Sequence, residues 1–330
     1  MALERAIFVV ATAARRINAN VRVDTQHLSD LDVPIEDFFE PFRLPAETRE
    51  FIYGVIAGVA QCDVHQVSML QWLQWTVGIG SPVGAFFGVA EERLEHGTGA
   101  LWRAMADDSR ADFEFDADVA SIAQEPNGVT ITTLGGDVFR ARVCVVAVPT
   151  QVINRITFSP ALSEERRALT DGAYVAPGFK NFLIVEGAPR GFIGFGGFGG
   201  TRDPRIGWLY EDRELPDGRL LLIAWGHGAR LTTSLAEAQA AIVDYLPQAV
   251  VTATDGHDWS EDPYAMGINH FRRPGEGLRF ASIVGERHGN VVFAGTDITP
   301  GVWSGWIEGG VDSGKRAAGE SGALLRLASR

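Results

Sequence analysis

The run VVFAGTDITPGVWSGWIEGGVDSGKRAA, residues 291–318, decides how this chain reads. Residues 291–294 are fully apolar, as a parallel strand buried on both faces requires. Gly295-Thr296-Asp297 ends that run with a small polar loop, and a long helix is predicted from about Ser304 to Leu325. Strand, polar loop and helix start, in that order, can build a ligand site. The first N–H groups of a helix have no partner within it, and the positive end of the helix dipole favours negative charge there. In this chain those groups fall around Trp306 and Ile307, while Gly305, Gly309, Gly310, Ser313 and Gly314 leave one helix face nearly bare for close approach.

Before this unit the chain changes character several times. Residues 1–94 read as helix: 35–42, 46–59 and 67–77 carry apolar residues three and four apart, punctuated by Pro34, Pro45 and Pro82. The N-terminus superficially suggests a signal peptide, but Ile7, Val10, Ala14, Ile17 and Val21 keep helical spacing through Arg15 and Arg16, which predicts a surface helix. From Gly97 a short helix (98–105) leads into β-like runs at 113–115 with 119–123, 129–133 and 138–148, separated by Asn127-Gly128 and Gly135-Gly136-Asp137, a β-meander. Strands at 179–185, 207–210 and 220–225 and a helix at 234–246 capped by Ser234 complete a second, mixed region.

Composition narrows the function. The 330 residues, 46% hydrophobic and 22% charged, suit an ordinary globular protein of two domains. A net charge of −13 argues against a nucleic-acid partner. No run approaches the roughly 18 apolar residues of a membrane span. Two cysteines, Cys62 and Cys144, read as free thiols of a cytoplasmic protein, with Cys144 buried in a strand. The histidines and cysteines show no metal-ligand spacing, Asp63-x-His65 reads as loop, and Glu91-Glu92 as solvated. Gly194 to Gly199 satisfies G-x-G-x-x-G but lacks a following helix, so a glycine-rich hairpin is expected. Gly309 to Lys315 nearly spells a P-loop, yet Arg316 stands where Ser or Thr is needed and the stretch lies inside a helix.

The 291–318 run resembles the C-terminal flavin motif of the flavin-containing amine oxidases, which include monoamine, polyamine and L-amino-acid oxidases. The resemblance extends to WSEDPYAMG (259–267), Pro177-Gly178-Phe179-Lys180, Val119 in the meander, VCVVAVP (143–149) and Gly97-Thr98-Gly99-Ala100-Leu101. It implies an α/β, mixed α+β fold: an incomplete FAD-binding Rossmann-like domain (95–169 and 263–330) interleaved with a helical and mixed-sheet substrate domain (1–94 and 170–262). By the same resemblance Val119, Pro149, Gly295, Thr296, Asp297, Trp303, Gly305, Trp306 and Ile307 would bind FAD. Lys180 would hold a water at the flavin ring, Trp306 would form one wall of an aromatic cage, and Asn269, at the other wall, would orient substrate or flavin. Ile268 replaces the cysteine that bonds flavin covalently in monoamine oxidases, so non-covalent FAD is expected.

The family's opening strand, G-x-G-x-x-G turn and helix are missing from these residues, and that turn grips the pyrophosphate. Three explanations follow: a split enzyme whose dinucleotide-binding unit is a separate, smaller subunit, a truncated frame, or a non-catalytic structural relative. Retention of Lys180, the Gly-Thr-Asp turn and the flavin-facing helix favours the first. The expected activity is hydride transfer from an amine or amino-acid carbon to flavin in a hetero-oligomer; the alternatives are a C–C desaturase of the same superfamily and a flavin-free scaffold. An exposed edge on the parallel sheet is also expected.

Overall fold

Two strands far apart in sequence, β4 (Cys144–Val146) and β13 (Val291–Phe293), pair in parallel, and their junction is where the rest of the fold converges. The computed structural model describes residues 1–80, 94–172, 174–196, 206–227 and 234–327. Pro82, Glu91-Glu92 and Gly197 to Gly199 lie outside them. All three residues of β13 are buried, which explains their uniformly apolar character. Helix α9 (Ile307–Leu327) follows, starting three residues later than the sequence suggests because Ser304, Gly305 and Trp306 form a turn. The near P-loop lies inside this helix, as expected.

The meander is a four-stranded sheet in the order β3-β2-β1-β5, built from β1 (Val119–Glu125), β2 (Gly128–Thr133), β3 (Val138–Ala141) and β5 (Thr157–Ser159). The run 138–148, read from sequence as one strand, is two. It breaks at Arg142-Val143, so that β3 stays in the meander while β4 leaves to join β13. Residues 113–115 form no strand; Phe113 and Phe115 stack at 6.2 Å on the surface. Cys144 is half-buried, less than expected, and both thiols are free.

A five-stranded sheet, order β11-β7-β10-β9-β8, joins β7 (Gly178–Glu186), β8 (Ile193–Phe195), β9 (Ile206–Glu214), β10 (Leu220–His227) and the unforeseen edge strand β11 (Val250–Gly256). Helix α7 (Leu235–Ile242), shorter than expected, covers one face through Ala238, Ala241 and Ile242, and Ser234 stands at its N-cap without a capping side-chain bond. The other face meets α3 (Ala46–Ala60), which shares a core with α1 (Ala2–Ala14) and α4 (Met69–Gly78). Helix α1 stops at Ala14 and does not continue to Val21, which is exposed; Ile17 is buried beyond the helix end. A short ladder of β6 (Tyr174–Ala176) with β12 (Asn269–Phe271) and the helix α8 (Gly277–Ile283) bring the last quarter back against α4. Among the described residues no helix is long and apolar enough to cross a membrane.

Helix α3 reaches the sheet through a glycine pair. A Cβ on Gly207 would lie 2.4 Å from the Cα of Gly58, and one on Gly58 would lie 2.8 Å from the Gly207 carbonyl. Neither backbone can move without displacing a whole element. Gly207→Ala should therefore lower unfolding free energy by about 1–3 kcal/mol, as overpacking does, measured by urea denaturation; an unchanged midpoint would show that α3 is free to shift.

Candidate functional site

Where β4 and β13 end, a cavity of about 430 Å³ opens, walled by Val148, Pro149, Gln151, Lys180, Ile268, His270, Gly295, Thr296 and Asp297 among others. Each wall is pinned. The Asp297 carboxylate accepts a hydrogen bond from the Thr150 N–H at 3.1 Å, joining the two strand ends. Gln61, at the end of α3 in a left-handed conformation, donates from Nε2 to the Phe179 carbonyl at 2.6 Å, one residue from Lys180. Gly178 permits this approach, because a Cβ there would lie 2.1 Å from Ile268 Cδ1 and 2.7 Å from Gln61 Cβ.

Lys180 begins a row across the large sheet. It pairs with Trp225, Trp225 with Trp208, and Trp208 with Phe195, and directly opposed residues share a sheet face. The ammonium lies 5.3 Å from the Trp225 ring and 5.5 Å from that of Phe182, within the range of cation–π attraction. The predicted loop residues are held separately. The Thr296 hydroxyl donates to the Trp306 carbonyl at 2.5 Å, and the Trp75 indole donates to the Ser304 carbonyl at 2.6 Å. Gly305 has φ +86°, and its bare Cα faces the Trp75 ring, which meets Trp306 edge-on at 5.7 Å.

Of the residues singled out by sequence, Lys180, Pro149, Gly295, Thr296 and Asp297 come together on this cavity. Val119 lines a second groove of about 760 Å³, together with Cys144, Val145 and Val146 of β4. The two spaces share Ala147 and Val148 as a common wall. Trp303, Gly305, Trp306, Ile307 and Asn269 are not on the cavity wall; Trp303 and Trp306 pack on the helical core, and half-buried Asn269 opens β12 opposite Ala176.

Two residues that sequence reasoning passed over matter most. Arg272 is 2% exposed, and its guanidinium donates to Gln74 Oε1, the Thr299 carbonyl and Ser304 Oγ at 3.1, 3.2 and 2.8 Å, so it fixes the loop between Asp297 and Ser304. Burial lowers its pKa to about 10, with Asp297 and Asp32 opposing, and it stays charged at neutral pH. Its neighbour in the cavity, His270, is buried with neither ring nitrogen hydrogen-bonded. The only sequence signal was a polar His-Phe-Arg-Arg stretch, which ordinarily marks surface.

The sequence profile of flavin containing amine oxidoreductases matches residues 36–320. The chain belongs to that family. It is 28% identical over 318 residues to (S)-6-hydroxynicotine oxidase of Paenarthrobacter nicotinovorans, a match spanning 96% of this chain and 73% of that protein. Pseudooxynicotine dehydrogenase of a Pseudomonas species is 26% identical over 303 residues, 91% of this chain and 60% of its own length. Among solved structures, a cofactor-binding redesign of putrescine oxidase superimposes with a TM-score of 0.82 at 22% identity, covering 98% of this chain and 75% of that one. Cyclohexylamine oxidase from Brevibacterium oxydans IH-35A gives 0.76 at 21%, covering 99% and 75%. The amine-oxidase fold expected from the 291–318 run is therefore present, and the chain spans roughly three-fifths to three-quarters of the length of these relatives.

Burial also holds the His270 pKa down at about 4, against a weaker upward pull from Asp297 and a further downward push from Arg272. A base whose folded pKa is depressed takes up protons in the unfolded chain first, so stability falls as pH drops from about 6.5 towards 4. The loss is on the order of 3 kcal/mol. Denaturant titrations at pH 7 and 4.5 should show this acid sensitivity in the native protein and a clearly smaller one in His270→Leu; equal losses would assign the acid lability elsewhere.

Proposed function

We propose that this chain carries the flavin-facing and substrate-facing parts of an FAD-dependent amine or L-amino-acid oxidoreductase, with FAD bound non-covalently and shared with a second, smaller polypeptide that brings the G-x-G-x-x-G unit. The observation that carries this reading is that two neighbouring spaces are both bounded by Ala147 and Val148, with Val119 lining one and Lys180 the other. On this reading they would take the two ends of FAD. The smaller cavity sets Gln151, Lys180, His270 and Thr296 against Val148, Pro149 and Ile268, a polar and apolar mixture that fits a ring with amide-like and benzenoid edges. Gln151 Oε1 is buried there without a partner, an acceptor available to a ring N–H.

FAD held there would supply a hydride acceptor for oxidising the carbon beside a substrate nitrogen to an imine. This chain's residues position and enclose. On this reading Trp306, braced by Trp75 just off the cavity wall, would bound the substrate space and help exclude water, Asn269 would orient the substrate, and Lys180 would hold a water and its proton near the ring. The relatives named for 6-hydroxynicotine and pseudooxynicotine support a cyclic or aryl-bearing amine as substrate.

The sheet supports such a partner. Among the described residues β4 pairs with β13 alone, and the larger groove that it lines also exposes Val119, Leu134, Val145 and Tyr264. An added parallel strand would pair with the other edge of β4 and cover these side chains. Two free thiols suit a cytoplasmic, reducing compartment.

Expressed with the products of its neighbouring genes, the chain should purify as a yellow complex with a smaller polypeptide; a colourless, well-folded protein that takes up no FAD under those conditions would sink the proposal. In an active complex Lys180→Met should slow flavin reduction or reoxidation by ~10-fold or more, followed by stopped-flow absorbance, and unchanged rates would remove Lys180 from the mechanism.

A further inference from the structure

One side chain of the 430 Å³ cavity has chemistry that the fold does not use. His270 is 5% exposed, and both Nδ1 and Nε2 are buried without a hydrogen-bond partner among the described residues. Its ring packs against Phe280 with centroids 4.8 Å apart, and the residue lines the cavity with Lys180 and Asp297. Its neighbours on β12 are otherwise engaged: Asn269 pairs with Ala176, and Phe271 packs on Trp75 at 5.5 Å. Arg272, next along, has its donors occupied by the 297–304 loop and Gln74. An imidazole held in this way weakens the ligand-free fold, since it gives up water for nothing. An aliphatic side chain would pack against Phe280 at no such cost. Gln151 Oε1, on the same cavity wall, is a second buried polar atom without a partner, although its amide nitrogen is bonded to the Ala265 carbonyl at 2.7 Å. Two residues of one cavity thus present unused hydrogen-bonding capacity.

We propose that His270 is a cofactor-positioning residue whose neutral imidazole hydrogen-bonds the heteroaromatic ring entering this cavity, which on the reading above is the isoalloxazine of the flavin. A neutral imidazole offers one donor and one acceptor, and a ring that carries carbonyl oxygens and an N–H can engage either. The residue then has opposite effects on the two states of the protein. It weakens the ligand-free chain and strengthens the loaded one, the pattern expected where a site is optimised for binding at the expense of stability.

The test uses the full 330-residue chain and riboflavin, whose lack of the ADP moiety makes its binding independent of the dinucleotide-gripping unit. Quenching of riboflavin fluorescence gives the dissociation constant, and thermal melts without ligand give the stability of the empty protein. His270→Leu should melt at or above the native temperature at pH 7 while binding riboflavin ~10-fold more weakly. His270→Gln, which restores a donor and an acceptor, should recover most of that loss. Riboflavin binding in His270→Leu within about twofold of native would overturn the assignment, as would a large drop in its ligand-free melting temperature, which would mark a structural role. A native chain that binds no riboflavin would overturn the flavin reading and this inference together, whereas native binding that His270→Leu leaves intact removes only the inference.

Discussion

The buried guanidinium of Arg272 holds the site-bearing half of this fold in register. Among the described residues Arg272 has no carboxylate at hydrogen-bonding distance, and its guanidinium is satisfied by neutral oxygens from α4 and from the loop after β13. Such a charge is tolerable only when its donors are occupied, and losing any acceptor would leave the cost of desolvation uncompensated. Gln74 does double duty, accepting from Arg272 and donating to the Gly301 carbonyl at 2.8 Å. Asp32 plays the complementary part nearby: its carboxylate accepts from the Ser68 hydroxyl and from the N–H groups of Gly275 and Leu278, tying the start of α4 to the start of α8. Between them these two charges fix where the 297–304 loop lies, and hence where Trp306 stands.

The cavity is a consequence of those ties together with two glycines. Gly178 lets β7, Gln61 and Ile268 meet, and Gly305 lets the chain turn under Trp75 into α9. The polar side chains are therefore delivered by different elements, Lys180 from a sheet strand, Asp297 from a strand end and His270 from a two-stranded ladder. No one segment owns the site, and its geometry depends on the packing of all three.

Much of this was legible in the sequence because the decisive unit is local. Residues 291–294 read as a buried strand, and β13, its loop and α9 were read nearly to their ends; of the glycines expected to serve close approach, Gly305 and Gly309 do, whereas Gly310 and Gly314 have open space beside them. The resemblance then gathered Lys180, Pro149 and the Gly-Thr-Asp turn, which do share a cavity. What escaped was set by tertiary context. The run 138–148 looks like one strand because alternation does not reveal that a chain changes sheets at Arg142-Val143. β6, β12 and β11 are short or polar at the edges and carry little periodic signal. His270 and Arg272 have the composition of a surface stretch, and only the folded chain shows them to be inside.

The pairing of β4 with β13 also constrains how the polypeptide comes to be folded. Cys144 meets Val291, so this core of Ile122, Val146, Ile153, Phe280 and Phe293 stays unfinished until about 150 further residues beyond Cys144 have been made. The five-stranded sheet and α7, all drawn from residues 178–256, close over shorter distances and can form first. A half-built protein would then wait with apolar strand residues uncovered, the condition under which chaperones are recruited and aggregation competes with folding.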